Sequence, residues 1–208
     1  MHCIEADPIL SKKLIEATDN ANSQITVHNI ALSDGNHEKV KFFSHKTRDQ
    51  EGSLFLRENS GSYNENIVQA SSLDSLGLSD VKLVKIDVEG AEFDVINGGK
   101  NTIQVNQPLV SVELSRFGNS DLNYSPSEFL TLIDDIGCRL YNLTGDLVSL
   151  QTWMSHDFFM NHMNWIVAKD SSAEFFVNDQ LRTLAESFCW GATDQVPYPF
   201  KLVDHPIS

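Results

Sequence analysis

Residues 85–92 read Lys-Ile-Asp-Val-Glu-Gly-Ala-Glu and set three carboxylates, Asp87, Glu89 and Glu92, at the exit of an apolar run, with Gly90 among them. A buried strand has no use for acids at its end, so their spacing raises a question of chemistry. Asp87 and Glu89 suit a general base or a hard cation such as magnesium. The plainer reading is that they cap the helix that follows, and that Glu92 answers the positive end of that helix. Gly90 lets the chain turn sharply. Glu5 and Glu113 close two further apolar stretches. In layered α/β sheets ligands bind beyond the carboxyl ends of strands, and an acid placed like Glu5 can accept both hydroxyls of a ribose. Asp87, Glu89 and Glu113 together form the candidate set for a metal-dependent reaction. His156 and His162 are further candidates for proton transfer, against the commoner packing or surface role. The Ser-Arg-Phe at 115–117 could touch a substrate. Gly98-Gly99-Lys100 lacks the spacing and the Ser or Thr of a phosphate loop.

Those residues need strands and helices to hold them. The pattern predicts strands at 2–5, 25–30, 67–71, 81–88, 108–114, 138–143 and 164–168. It adds an alternating strand with Val40 and Phe42 on one face, after a turn at Asp34-Gly35. Asp7-Pro8 opens a helix whose apolar face is Ile9, Leu10, Leu14 and Ile15. A second helix begins near Ala91 and ends at Gly98-Gly99. Ser125-Pro126-Ser127-Glu128 is a capping box with proline in the first turn, and Gly137 stops that helix. Residues 44–66 read as a polar loop or insertion and 173–190 as an amphipathic helix, with an extended tail around residues 196–200. Trp153 and Trp165 read as core. The alternation of strand and helix predicts an α/β fold with a mainly parallel sheet. The organisation expected is a domain over 1–170 and a C-terminal helix and tail over 171–208.

The 208 residues are 41% hydrophobic and 21% charged, which supplies a core. The formal net charge is −14, which repels phosphate backbones and anionic membrane surfaces. No run approaches the ~20 apolar residues of a membrane span. The three cysteines, Cys3, Cys138 and Cys189, are widely spaced. They form neither a disulfide framework nor a metal motif, and favour a reducing, cytoplasmic setting.

Several stretches together resemble the FkbM-type methyltransferases: "IEADP" at 4–8, "ALSD" at 31–34, "SLDSLGL" at 72–78, "VKLVKIDVEGAEFDVINGG" at 81–99 and "PLVSVEL" at 108–114. The resemblance covers residues 1–168, and its most specific segment is 85–92. It implies a Rossmann-like class I methyltransferase fold, S-adenosylmethionine as methyl donor, and O-methylation of a sugar or small natural-product hydroxyl. It implies that Glu5 holds the cofactor ribose, that Ala31 and Leu32 lie near the adenine, and that Asp87 and Glu89 act beside the methionine moiety or the acceptor. The expected partner is a small-molecule or glycan acceptor. Ala6 stands where the family usually has proline. The family also has a strand and an Asp-x-Gly-x-Asn-x-Gly turn ahead of the Glu5 strand, and that strand lies between those of Glu5 and Asp87. The sequence given opens directly on the Glu5 strand, so the expectation is an N-terminally truncated domain with an open sheet edge. Two alternatives follow: a non-catalytic remnant that folds through a partner chain or a homo-oligomer at that edge, and the metal-dependent carboxylate site.

Overall fold

The computed structural model describes residues 1–20, 24–45, 52–54, 63–114, 124–143, 145–155 and 164–170. Its first unit is a parallel pair, β1 (His2–Ile4) with β2 (Thr26–His28), joined by helix α1 (Pro8–Asn20). Asp7 starts α1 as its sequence suggests: its Oδ1 accepts the Ile9 and Leu10 amides at 2.7 and 3.2 Å. A second sheet has the order β3 (Ala31–Leu32), β6 (Tyr63–Ser71), β4 (Lys39–His45), β5 (Gly52–Ser53). Phe42 and Val40 turn inward from β4 to pack with Ala31 and Val68.

The third sheet carries most of the core. Its order is β7 (Leu83–Ile86), β8 (Leu109–Glu113), β10 (Asn164–Ala168), β9 (Arg139–Tyr141). Helices α2 (Glu92–Asn97), α3 (Lys100–Asn106), α4 (Pro126–Asp135) and α5 (Leu150–Trp153) belong to the same half of the chain. Ile86, Val110, Val112 and Val167 meet Val95, Ile103, Phe129 and Ile133 in one apolar cluster. Complete burial of each such side chain contributes roughly 1.5–3 kcal/mol. Trp153 and Trp165 are core, as the sequence suggests, and Phe129 meets Trp153 edge-on at 5.4 Å.

The mainly parallel sheet expected from the sequence is corrected by the pairing. Among the described residues β1–β2, β3–β6 and β7–β8 are parallel, while β4–β5, β4–β6, β8–β10 and β9–β10 are antiparallel. The fold is α/β with mixed sheets. Strand–helix alternation announces the types of element and not their direction, which is set by the sheet edge each connection reaches. The expected loop over 44–66 also changes. Polar residues Tyr63, Asn64, Glu65 and Asn66 continue β6, opposite His45, Ser44, Phe43 and Phe42. Residues 173–190 and the tail lie outside the described residues.

The pair Gly98-Gly99 ends α2 as expected, but by close approach rather than by a left-handed cap. A Cβ on Gly98 would stand 2.1 Å from the Ser33 carbonyl oxygen, and one on Gly99 2.8 Å from Leu73 Cδ2. Helix α3, absent from the sequence reading, follows at once. Its free amides are capped from a distance: Asp74 accepts the Asn101 and Thr102 N–H groups at 3.0 and 2.6 Å. The short motifs around Ser33, Leu73-Asp74 and Gly98-Gly99 thus meet at one junction.

Candidate functional site

Strand β7 delivers Asp87 and Glu89 to the site. Beyond Ile86 the chain turns through two left-handed residues, Glu89 at φ 53° and Gly90 at φ 112°. A glycine adopts that conformation freely, but a glutamate there costs about 1–2 kcal/mol, so its surroundings must hold it. Two contacts do. The Ser53 hydroxyl donates to the Glu89 carbonyl oxygen at 2.8 Å, and the Gly90 amide donates to Glu92 Oε1 at 2.9 Å.

Glu92 departs from its sequence reading. A carboxylate in a first helical turn is ordinarily solvated, yet this one is 1% exposed. Its Oε2 and the Tyr124 hydroxyl are both buried without a hydrogen bond to a described residue. Burial raises the Glu92 pKa above the ordinary carboxyl value. The Gly90 amide opposes that shift, and the charges of Glu89 and Asp87 reinforce it. Burial first, and then the Glu92 charge, raise the Tyr124 phenol. The legible signal was a glutamate two residues after a glycine whose amide the turn leaves free.

Asp87 is half exposed and meets Lys85 Nζ at 3.6 Å. The same ammonium lies 3.5 Å from Glu113 Oε2 and 2.9 Å from Asn164 Oδ1. It ties the ends of β7, β8 and β10. Lys85 was visible in the sequence only as an interruption of an apolar run. Because its ammonium stands between Asp87 and Glu113, it takes the place a hard cation would need in the Asp87–Glu89–Glu113 set. Among the described residues no group of three metal-ligating side chains occurs.

Glu5, at the end of β1, is partly buried, and its Oε1 accepts the Asp7 amide at 2.7 Å. Burial raises its pKa, the Asp7 amide opposes that, and the Asp7 charge adds to it. Ala31 is buried and Leu32 partly so, on the short strand beside Ala70 and Ser71. Glu5, Ala31, Leu32, Asp87, Glu89 and Glu113 all border one cavity of about 1780 Å³. Residues far apart in sequence are thereby brought to a common space that is apolar in its walls and acidic at the strand ends. His156, His162 and the segment 115–117 lie outside the described residues.

A family described as the methyltransferase FkbM domain matches residues 2–140. Among solved structures, a methyltransferase FkbM from Methylobacillus flagellatus KT is similar at 20% identity and a TM-score of 0.35. The similarity covers 54% of this chain and 25% of that one, so this chain spans about a quarter of that protein's length. No curated protein matches. Among the described residues no helix is long and apolar enough to cross a membrane.

Proposed function

The chain belongs to the FkbM methyltransferase family, and on that premise we propose that it takes part in S-adenosylmethionine-dependent O-methylation of a sugar or small natural-product hydroxyl. The observation that supports this reading is the shared cavity bordered by Glu5, Ala31, Leu32, Asp87 and Glu89. Its chemistry fits the donor. Glu5 offers a partly buried carboxylate for a ribose diol, Ala31 and Leu32 an apolar wall for a purine, and the acidic strand ends a favourable field for a sulfonium cation. When bound, S-adenosylmethionine supplies an electrophilic methyl group.

The protein's own part is positioning and proton transfer. Asp87, half exposed at the cavity, is the group to take the acceptor hydroxyl proton, with Glu89 beside it. Lys85 holds Asp87 in place and tempers the negative charge of the rim. The Glu92–Gly90 bond fixes the turn that carries both acids. A reducing, cytoplasmic setting belongs to the same proposal and rests on the wide spacing of Cys3, Cys138 and Cys189 in the sequence.

Calorimetry with S-adenosylhomocysteine tests the reading. The expected result is saturable binding that Glu5→Ala weakens about tenfold or more, since a hydrogen bond to a charged group contributes about 1.5–3 kcal/mol. Absence of binding by the parent chain, or an unchanged affinity in Glu5→Ala, would overturn the assignment.

A further inference from the structure

The third sheet has two faces, and helices α2 to α5 serve one of them. Register partners point their side chains to the same side of a sheet, and successive residues of a strand alternate. Val110, Val112, Leu140 and Val167 therefore share a face. Val95 of α2, Ile103 of α3, Phe129 of α4 and Trp153 of α5 join them there in the main apolar cluster. The opposite face carries Leu109 of β8, Ile166 and Ala168 of β10, and Tyr141 of β9. Ile166 and Ala168 are 3% and 0% exposed, as deep as the main core. Yet they form a cluster of their own, and the other apolar side chains packed on it among the described residues are Leu109 and Tyr141. Those two stand beside them in neighbouring strands. A strand neighbour flanks a side chain, and it takes a second layer above the sheet to roof it.

The chain indicates where that layer starts. Strand β10 ends at Ala168, and Asp170 is already helical. Tyr141 stands on the second face, opposite Ile166, and its hydroxyl donates to Asp170 Oδ1 at 2.6 Å. A helix continuing from Asp170 thus leaves the strand on the side of Ile166 and Ala168, away from α2 to α5. The sequence that follows suits such a place. Val177, Leu181, Leu184 and Phe188 recur at helical spacing and make one apolar stripe, with Asp179, Arg182 and Glu186 on the other side. As a helix, residues 173–190 measure about 27 Å, enough to overlie the five residues of β10, which extend about 17 Å.

We propose that residues 173–190 of this chain fold back as an amphipathic helix on the second face of the third sheet, with Val177, Leu181, Leu184 and Phe188 turned onto Leu109, Ile166 and Ala168. The sheet then has a helical layer on each side, and the polar side of the segment faces solvent. A segment joined to β10 within a few residues acts at a high effective concentration, which a separate partner lacks. A second copy of this chain is the wrong occupant, because two chains of formal charge −14 repel. Leu109, Tyr141, Ile166 and Ala168 do not line the cavity at the strand ends, so this layer is independent of the methyl-donor reading.

The test is methyl NOE spectroscopy on the full chain, with alanine, isoleucine, leucine and valine methyl groups labelled. The parent should show cross-peaks from the Ile166 and Ala168 methyls to those of Leu181 and Leu184, unchanged on dilution. The double variant Leu181→Asp with Leu184→Asp should lose the cross-peaks of Ile166 and Ala168 to the segment, and amide exchange across 177–188 should quicken about tenfold or more. Val110 and Val112 should keep their exchange rates in that variant, which shows that the main core stays folded. Asp179→Ala with Glu186→Ala, on the solvent side of the same helix, should change neither readout. The cross-peaks of the parent decide the matter even where the double variant fails to fold. Their absence, which leaves the face to another partner, would overturn the assignment. So would contacts of Leu181 and Leu184 with other parts of the chain alone, or unaltered exchange across 177–188 in the folded double variant. Cross-peaks seen only between differently labelled copies in a mixed sample would overturn it too, by making a second copy the occupant.

Discussion

Glu92 is the acid most completely removed from solvent among the described residues, and its consequences can be measured. Its carboxyl accepts one backbone amide and leaves Oε2 without a described partner. Burial raises its pKa from the ordinary 4.5, so over some range of pH the folded chain keeps a proton that the unfolded chain has released. The stability this group contributes is therefore complete below pH 4.5 and is lost as the pH climbs through the raised value. Glu92→Gln keeps an acceptor for the Gly90 amide and cannot ionise. Urea denaturation should find the variant close to the parent at pH 4.5 and more stable at pH 8, with each unit of raised pKa contributing about 1.4 kcal/mol. Glu5 shifts in the same direction in both proteins, so the difference isolates Glu92. A gap that stays constant with pH would mean that burial does not perturb Glu92. The sequence displayed this acid without its burial. The helix-dipole argument is local, whereas Tyr124 and the apolar cluster that seal Glu92 come from elsewhere in the chain.

At the scale of elements, the junction of Ser33, Leu73, Asp74 and Gly98-Gly99 separates two kinds of glycine. Gly98→Ala drives a methyl group against backbone, which cannot move aside, and should destabilise by about 3 kcal/mol or more. Gly99→Ala meets chiefly the end of the Leu73 side chain, which can turn away, with the Val95 carbonyl oxygen at 3.1 Å needing only a small shift, and should cost less, about 1–2 kcal/mol. Equal denaturation midpoints for the two variants would refute the distinction. Local elements were legible. The capping box of α4 forms as written, with Ser125 Oγ accepting the Glu128 amide and Glu128 Oε2 accepting that of Ser125. Helix α3 was not legible, because its cap is Asp74, 27 and 28 positions away from the amides it satisfies. The polar start of β6 was hidden for the same reason: its partner strand, not its own composition, makes it a strand.

At the scale of the molecule, apolar burial is uneven. Val110, Val112 and Val167 are fully buried in β8 and β10, whereas β1 and β2 form a two-stranded sheet whose residues are all partly or wholly exposed. Isolated strand pairs are marginal, and opening free energy follows buried contact. Hydrogen exchange on the chain alone should find the amides of β8 and β10 slowest and those that pair β1 with β2 at least a hundredfold faster. Uniform rates would contradict this uneven burial. Family and fold class were readable from motifs in order. Strand direction was not, since no residue type encodes the sheet edge to which a connection returns.

The hydroxyl of Ser53 has a mechanical consequence. It belongs to β5, at the margin of the second sheet, and it grips the carbonyl of Glu89 on the turn that leaves the third. The tether holds a peptide plane in a conformation its residue type disfavours. Ser53→Ala would take away that restraint and leave the plane, with the acids on either side of it, freer to relax. One small alcohol makes the posture of the rim answer to a hairpin that carries none of its charges.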